Sequence, residues 1–255
     1  SLLSDRLAAR AAEFHVWFLM FKAILARPPC RRKRWGLGAS RLWCMMQHRT
    51  WIRACAMLDE LLRRMSNHQP ASLETDRRFP EAAVLLPITR SEAPELVLTL
   101  RAKGLSTHGG EVAFPGGRRD PEDPDLVFTA LREAEEEIGL PPGLVEVIGP
   151  LSPLISLHGL KVTPFVGLIP DFVEYRANDA EIAAVFTVPL EFFRQDPRDH
   201  THRIDYQGRS WYVPSYRYGE YKIWGLSAIM IVELVNLLFD AGISLHQPPE
   251  RYIEN

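Results

Sequence analysis

The sequence predicts an α+β fold in which a mixed β-sheet is sandwiched between helices. Three observations carry this reading. Short apolar runs bounded by Gly, Pro and Ser recur at strand length between residues 82 and 213, two longer helical patterns stand apart at 125–138 and 226–239, and no internal repeat or low-complexity tract breaks the order. With 255 residues, of which 46% are hydrophobic and 24% charged, the chain is long enough to bury the core of one ordinary domain with an appendage.

In chain order, Leu58, Leu61, Leu62 and Met65 recur at helical spacing and predict a short helix over 57–66. Residues 67–78 are polar and read as linker. Strands are expected at 82–89 and 96–101, with a turn over 91–94 between them. A third short strand, 109–114, runs into Pro115-Gly116-Gly117, where two glycines halt the strand and permit a close backbone approach to a ligand. From 125 to 138 the period turns helical: Leu126, Val127, Ala130, Leu131, Ala134 and Ile138 form an inward stripe, with the acidic residues largely off it. Asp125 or Pro124 starts this helix and Gly139 ends it. Strands follow at 145–151, 161–169 and 183–188, then a hairpin around Gln207-Gly208 within 203–213, and a final apolar helix over 226–239 closed by Gly242.

The formal charge of -2 hides an uneven distribution. Residues 1–56 hold 11 Lys and Arg against only Asp5 and Glu13, a net of +9, together with all three cysteines (Cys30, Cys44, Cys55) and Trp17, Trp35, Trp43 and Trp51. The chain therefore divides into a basic, Cys/Trp-rich extension (1–56), a short helix and linker (57–78), a main domain (79–243) and a tail (244–255). The functional protein is expected to begin near Met57, with 1–56 an extension or a misassigned start. The absence of Cys from 57–255 excludes a disulfide framework or a Cys-based zinc site in the main domain, and a reducing compartment is the default. The apolar run 14–25 is interrupted by Lys22 and is shorter than the ~20 residues that cross a bilayer, so no membrane association is expected. The 31-RRKRW-35 cluster has the charge and aromatic content of a nucleic-acid patch, but no reader motif accompanies it, and no nucleic-acid partner is expected.

The chemistry concentrates in 132-REAEEEIG-139. Glu133, Glu136 and Glu137 stand at i, i+3 and i+4, which puts three like charges on one helix face. Glu135 points elsewhere and reads as a solvated surface residue. Crowded carboxylates repel unless a cation compensates them, and an oxygen-only ligand set suits a hard divalent ion, Mg2+ or Mn2+, that takes its remaining ligands from water and substrate phosphates. An acidic helix face alone is usually only solvated. The Gly-Gly loop upstream changes the balance, because it brings backbone amides and carbonyls beside those carboxylates.

Residues 110–140 resemble the signature of the Nudix hydrolases, G-x5-E-x7-R-E-U-x-E-E-x-G-U with U aliphatic. Arg132, Glu133, Glu136, Glu137, Gly139 and Leu140 match, and small Ala134 stands at the first U. Counted from Gly117, Arg132 falls one residue late, and the place of the first glutamate is shared by Glu122 and Asp123; one extra loop residue accounts for both. The resemblance implies a Nudix-type α/β/α sandwich with a metal-binding loop-helix-loop. It further implies that Glu133, Glu136 and Glu137 hold the metal, that Arg132 braces one of them, and that the carbonyl of Gly116 touches the ion.

A second stretch, 98-LTLRAKGLSTHGGEVAFPGG-117, is similar to the motif L-L-T-x-R-[SA]-x3-R-x3-G-x3-F-P-G-G of the coenzyme A pyrophosphatase branch, in its short bacterial type. Leu98, Thr99, Arg101, Ala102, Gly110, Phe114, Pro115, Gly116 and Gly117 match; Val97 replaces a leucine and Ser106 the second arginine, a loss for which His108 or Lys103 are candidate replacements. The likeness continues through Pro150, Pro189 and 224-WGLSAIMIVEL-234, over roughly residues 75–240. It implies substrate contacts at Arg101, Gly110, Phe114, Gly116 and Gly117. Arg101 reads equally well as a strand residue with a structural partner. A carboxylate just before a strand that faces the metal is placed to deprotonate the attacking water, and Glu181 in 179-DAEIAAVFTVPL-190 is the candidate, with a capping or surface role as the alternative.

The expected activity is metal-dependent hydrolysis of the diphosphate bond of coenzyme A or an acyl-CoA to 3',5'-ADP and the 4'-phosphopantetheine half. Two alternatives stand beside it. One is hydrolysis of ADP-ribose, a dinucleotide polyphosphate or another nucleoside diphosphate derivative. The other is a nucleotide-sensing or RNA-binding module of the same fold, which tends to lose helix glutamates that this chain keeps. The partner is a small molecule, and a homodimer is an open alternative to a monomer.

Overall fold

The structure is a computed structural model, and it describes residues 56–73, 78–104, 109–206 and 208–249. Residues 1–55, and with them nearly all of the basic extension, lie outside the described residues, as do Ser106 and His108.

The elements follow in the order α1 (56–67), β1 (Glu81–Thr89), β2 (Glu95–Arg101), β3 (Val112–Ala113), β4 (Gly116–Arg118), α2 (Leu126–Ile138), β5 (Glu146–Pro150), β6 (Leu154–Ile155), β7 (Lys161–Ile169), β8 (Ile182–Pro189), α3 (Leu190–Phe193), β9 (Arg198–Tyr206), β10 (Arg209–Tyr218), β11 (Tyr221–Ile223) and α4 (Gly225–Phe239). β1 is the hub of the main sheet. Along one edge it pairs in parallel with β7 from Glu81 opposite Lys161 to Thr89 opposite Ile169. Along its other edge it meets β2 at Ile88 and β4 at Ala82–Val84. The short β3 pairs with β2 at Thr99 and Leu100, and β8 runs antiparallel along the length of β2.

Side chains alternate across a strand, so each face of this sheet carries its own core. Ala82, Leu86, Ile88, Leu96, Leu98 and Val166 face one way, into a cluster with Leu61 and Met65 of α1 and Ile231, Leu234 and Val235 of α4. Ala83, Leu85, Val97, Phe165 and Ile169 face the other way, onto Ala130, Ala134 and Ile138 of α2. Helices on both faces of a mixed sheet give the α/β/α sandwich that the sequence implied. Each fully buried Leu or Ile contributes roughly 1.5–3 kcal/mol, so the two faces together carry most of the apolar driving force.

The structure corrects several local readings. The two glycines do not halt the chain: Gly116–Arg118 is strand β4. A Cβ on Gly116, whose φ is 154°, would lie 2.3 Å from the Ala83 carbonyl oxygen and 2.5 Å from Val84 Cα, so glycine is what lets β4 approach β1 so closely. The third strand shrinks to Val112–Ala113, because Gly110 at φ 79° turns and donates its N–H to the Arg101 carbonyl at 3.0 Å. The hairpin runs from Arg198 to Tyr218, well beyond 203–213, and β11 extends it to a three-stranded sheet. α4 is closed by Asp240 at φ 51° rather than by Gly242. Among the described residues, no helix is long and apolar enough to cross a membrane.

Candidate active site

α2 forms where its caps dictate. The Asp125 side chain accepts from Phe128 N–H at 2.8 Å, and Gly139 adopts the left-handed conformation at φ 66° with its N–H on the last turn. The apolar stripe turned to the sheet fixes the rotation of the helix, and with it the direction of every carboxylate. Glu137 falls on the buried side, contrary to the expectation that the acids lie largely off the stripe: its side chain is only 4% exposed.

Glu137 is held from two directions. Its Oε2 accepts the Gly116 backbone N–H at 3.1 Å, and its Oε1 faces Arg101 Nη1 at 3.3 Å. Burial pushes its carboxyl up to about 7 against the opposing pull of the Gly116 amide and Arg101, and the neighbouring Glu133 and Glu181 push it further. Burial also raises Glu133, with Arg132 opposing and Glu136 and Glu181 adding to the rise. Three of the predicted acids, Glu133, Glu137 and Glu181, therefore feel one another across a small space. Glu181 sits directly before β8. Its carbonyl accepts Ala102 N–H at 2.8 Å, and the loop that carries it is tied to the end of α2 by Asn178 N–H on the Glu137 carbonyl at 2.9 Å. Glu135 is exposed, as expected.

Arg132 is the hub of the loop-helix junction. Its Nε and Nη2 form a fork on Asp123 at 3.1 Å each, Nη2 also donates to the Arg118 carbonyl at 3.2 Å, Nη1 donates to Glu136 at 3.0 Å, and Glu133 lies 3.0 Å away. Asp123 is buried and also accepts from Thr129 Oγ1 at 2.8 Å and Asp120 N–H at 3.0 Å. The Arg132 fork holds its carboxyl down to about 2 despite that burial. Glu122 is exposed. Of the two acids that the sequence left at one place, Asp123 anchors Arg132; the turn that puts Asp123 N–H on the Asp120 carbonyl at 3.1 Å aims it inward.

The remaining predicted residues are placed as follows. Arg101 ends β2 at a register shift against β8, with its guanidinium on Glu137. Gly110 makes the turn beside it. Phe114 is 3% exposed and packs in the core shared with α4. Gly117 lies against the acidic helix: a Cβ there would sit 2.5 Å from the Glu133 carboxylate. The expected effects of the two glycines differ accordingly. Gly116→Ala collides with backbone and should cost about 2–3 kcal/mol in thermal unfolding. Gly117→Ala meets only the end of the Glu133 side chain and no backbone, and should displace Glu133 and lower kcat while changing the melting temperature little.

The donor chemistry fits a hard divalent cation: oxygen atoms only, from partly and deeply buried carboxylates whose charges raise one another. Among the described residues, no three His, Cys, Asp or Glu side chains are drawn into ligand spacing. Glu136 is turned outward onto Arg132, and Glu137 is occupied by Arg101. Glu133, Glu136 and Glu137 would hold the ion after these two contacts rearrange.

Comparison with known proteins gives the family. The NUDIX domain profile matches residues 79–206. The chain is 44% identical over 178 residues to the uncharacterized Nudix hydrolase NudL of Shigella sonnei (strain Ss046), a match covering 70% of this chain and 93% of the relative. It is 42% identical over 177 residues to the NudL of Enterobacter sp. (strain 638), covering 69% and 92%. Among solved structures, a Caenorhabditis elegans Ap4A hydrolase binary complex aligns with a TM-score of 0.38 at 19% identity, over 43% of this chain and 80% of that one. A MutT/nudix family protein from Enterococcus faecalis aligns at 0.43 and 15%, over 67% and 66%. The chain belongs to the Nudix family, and is a Nudix hydrolase.

Proposed function

We propose that the chain hydrolyses the diphosphate of coenzyme A or an acyl-CoA, in the cytoplasm, to 3',5'-ADP and (acyl-)4'-phosphopantetheine. The observation that supports this most is the meeting of two sequence motifs: Arg101, from the stretch similar to the coenzyme A pyrophosphatase motif, lies 3.3 Å from Glu137 of the acidic helix, 36 residues further along the chain. A guanidinium at that point is suited to diphosphate oxygens.

A bound Mg2+ or Mn2+ supplies charge neutralisation on the diphosphate oxygens and orients the water. The residues do the rest. Glu133, Glu136 and Glu137 would carry the ion, and Arg132, fixed on Asp123, braces Glu133. Glu181, tied by its backbone to Ala102 and facing the same acids, takes the proton of the attacking water. Water adds to one phosphorus, and the bridging oxygen leaves with the other phosphate. The decisive measurement is product analysis with metal. Coenzyme A should give 3',5'-ADP and 4'-phosphopantetheine with kcat/KM about tenfold or more above that for ADP-ribose. Equal or better turnover of ADP-ribose would move the assignment to that class.

A further inference from the structure

Two arginines serve the acidic helix, and they are held very differently. Arg132 is a fixed strut: its guanidinium forks onto buried Asp123, donates to the Arg118 carbonyl, and also engages Glu133 and Glu136. Arg101 reaches Glu137 through Nη1 alone, at 3.3 Å, and among the described residues its guanidinium makes no second hydrogen bond. Its side chain is 23% exposed whereas that of Glu137 is 4% exposed, so the arginine can leave toward water and the carboxylate cannot.

Glu137 is crowded by Glu133 and Glu181, and among the described residues Arg101 is its only cationic partner. A divalent ion on the same carboxylate would meet a guanidinium a few ångströms away, and like charges at that distance in a part-buried site repel. The ion and the present Arg101 contact therefore exclude one another.

We propose that Arg101 is a positioning residue that serves as a placeholder cation: it holds Glu137 Oε1 in the metal-free protein and yields that oxygen when the divalent ion binds. The contact keeps the buried carboxylate oriented toward the site, and sets metal affinity by competition. This rests on the assignment of Glu137 as a metal ligand.

The test is direct Mn2+ binding to the metal-free protein, read by the electron paramagnetic resonance signal of free Mn2+, with circular dichroism confirming that each variant is folded. Removing the competitor in Arg101→Gln should tighten Mn2+ binding by about tenfold, the scale on which an adjacent opposite charge shifts a carboxylate equilibrium. The same variant should lower the melting temperature of the metal-free protein and recover it on saturation with Mn2+. Arg101→Lys keeps the charge and should bind Mn2+ within about twofold of the parent chain. A purely structural arginine predicts weaker binding in Arg101→Gln; weaker or unchanged affinity overturns the proposal. Glu137→Gln is the control for the assignment beneath it. If that change leaves Mn2+ affinity intact, the metal site itself is misassigned. If it weakens binding and Arg101→Gln does not tighten it, only the placeholder role fails.

Discussion

Glu137→Gln is expected to lower kcat by roughly a thousandfold or more, equivalent to about 4 kcal/mol of transition-state stabilisation, while the protein stays folded. The substitution is close to isosteric, and a glutamine oxygen can still accept the Gly116 N–H that Glu137 accepts at 3.1 Å. What is lost is the charge. The same change has a second, independent readout in the metal-free protein. Glu137 has its carboxyl pushed up to about 7 by burial, above its ordinary value of 4.5. A carboxyl raised in the folded state favours folding while it is protonated, so its contribution is fully present below about pH 4.5 and is lost as pH rises toward 7. The loss is on the order of 3 kcal/mol. Urea unfolding of the metal-free parent chain should therefore show stability falling across that window, and Glu137→Gln should remove this part of the slope. Near-normal turnover in the variant would end the site assignment, and an unchanged slope would end the account of its burial.

The limits of α2 were legible because they rest on local chemistry: Asp125 caps it, Gly139 turns out of it, and the apolar period between them has one solution on the sheet. The burial of Glu137 was not legible, since periodicity sorts residues by polarity and this acid occupies a place on the apolar side. β4 was missed for a related reason. Glycines usually weaken a strand, and nothing in the sequence states that β1 would come within a Cβ radius of Gly116. The edges of β9 and β10 escaped because Arg198-Asp199-His200-Thr201-His202 is polar on both faces, which removes the alternation that marks a half-buried strand. The contact of Arg101 with Glu137 is a tertiary fact: it depends on β2 and α2 packing at one end of the sheet, and only the resemblance to a family motif drew attention to that arginine.

Asp123→Ala should be the most destabilising single change at the site. Asp123 is buried and accepts the Arg132 fork, Thr129 Oγ1 and Asp120 N–H, so its removal takes the forked partner from a guanidinium that is itself only 19% exposed. Breaking a buried pair by deleting one partner costs about 3–5 kcal/mol. In a domain of this size that is on the order of a 10 °C fall in melting temperature. Glu122→Ala, one residue away and exposed, should stay within about 0.5 kcal/mol of the parent chain. The sign with pH is opposite to that of Glu137. The Asp123 carboxyl is held down to about 2 from 3.8, chiefly by Arg132, so its contribution is present above the ordinary carboxylate range and disappears as pH falls toward 2. Activity should fall with stability, because an Arg132 released from Asp123 no longer fixes Glu133. A double-mutant cycle of Asp123→Ala with Arg132→Ala separates the pair from its surroundings. A coupling of about 2 kcal/mol or more is expected, and additivity would mean that Asp123 stabilises the loop through Thr129 and Asp120 alone.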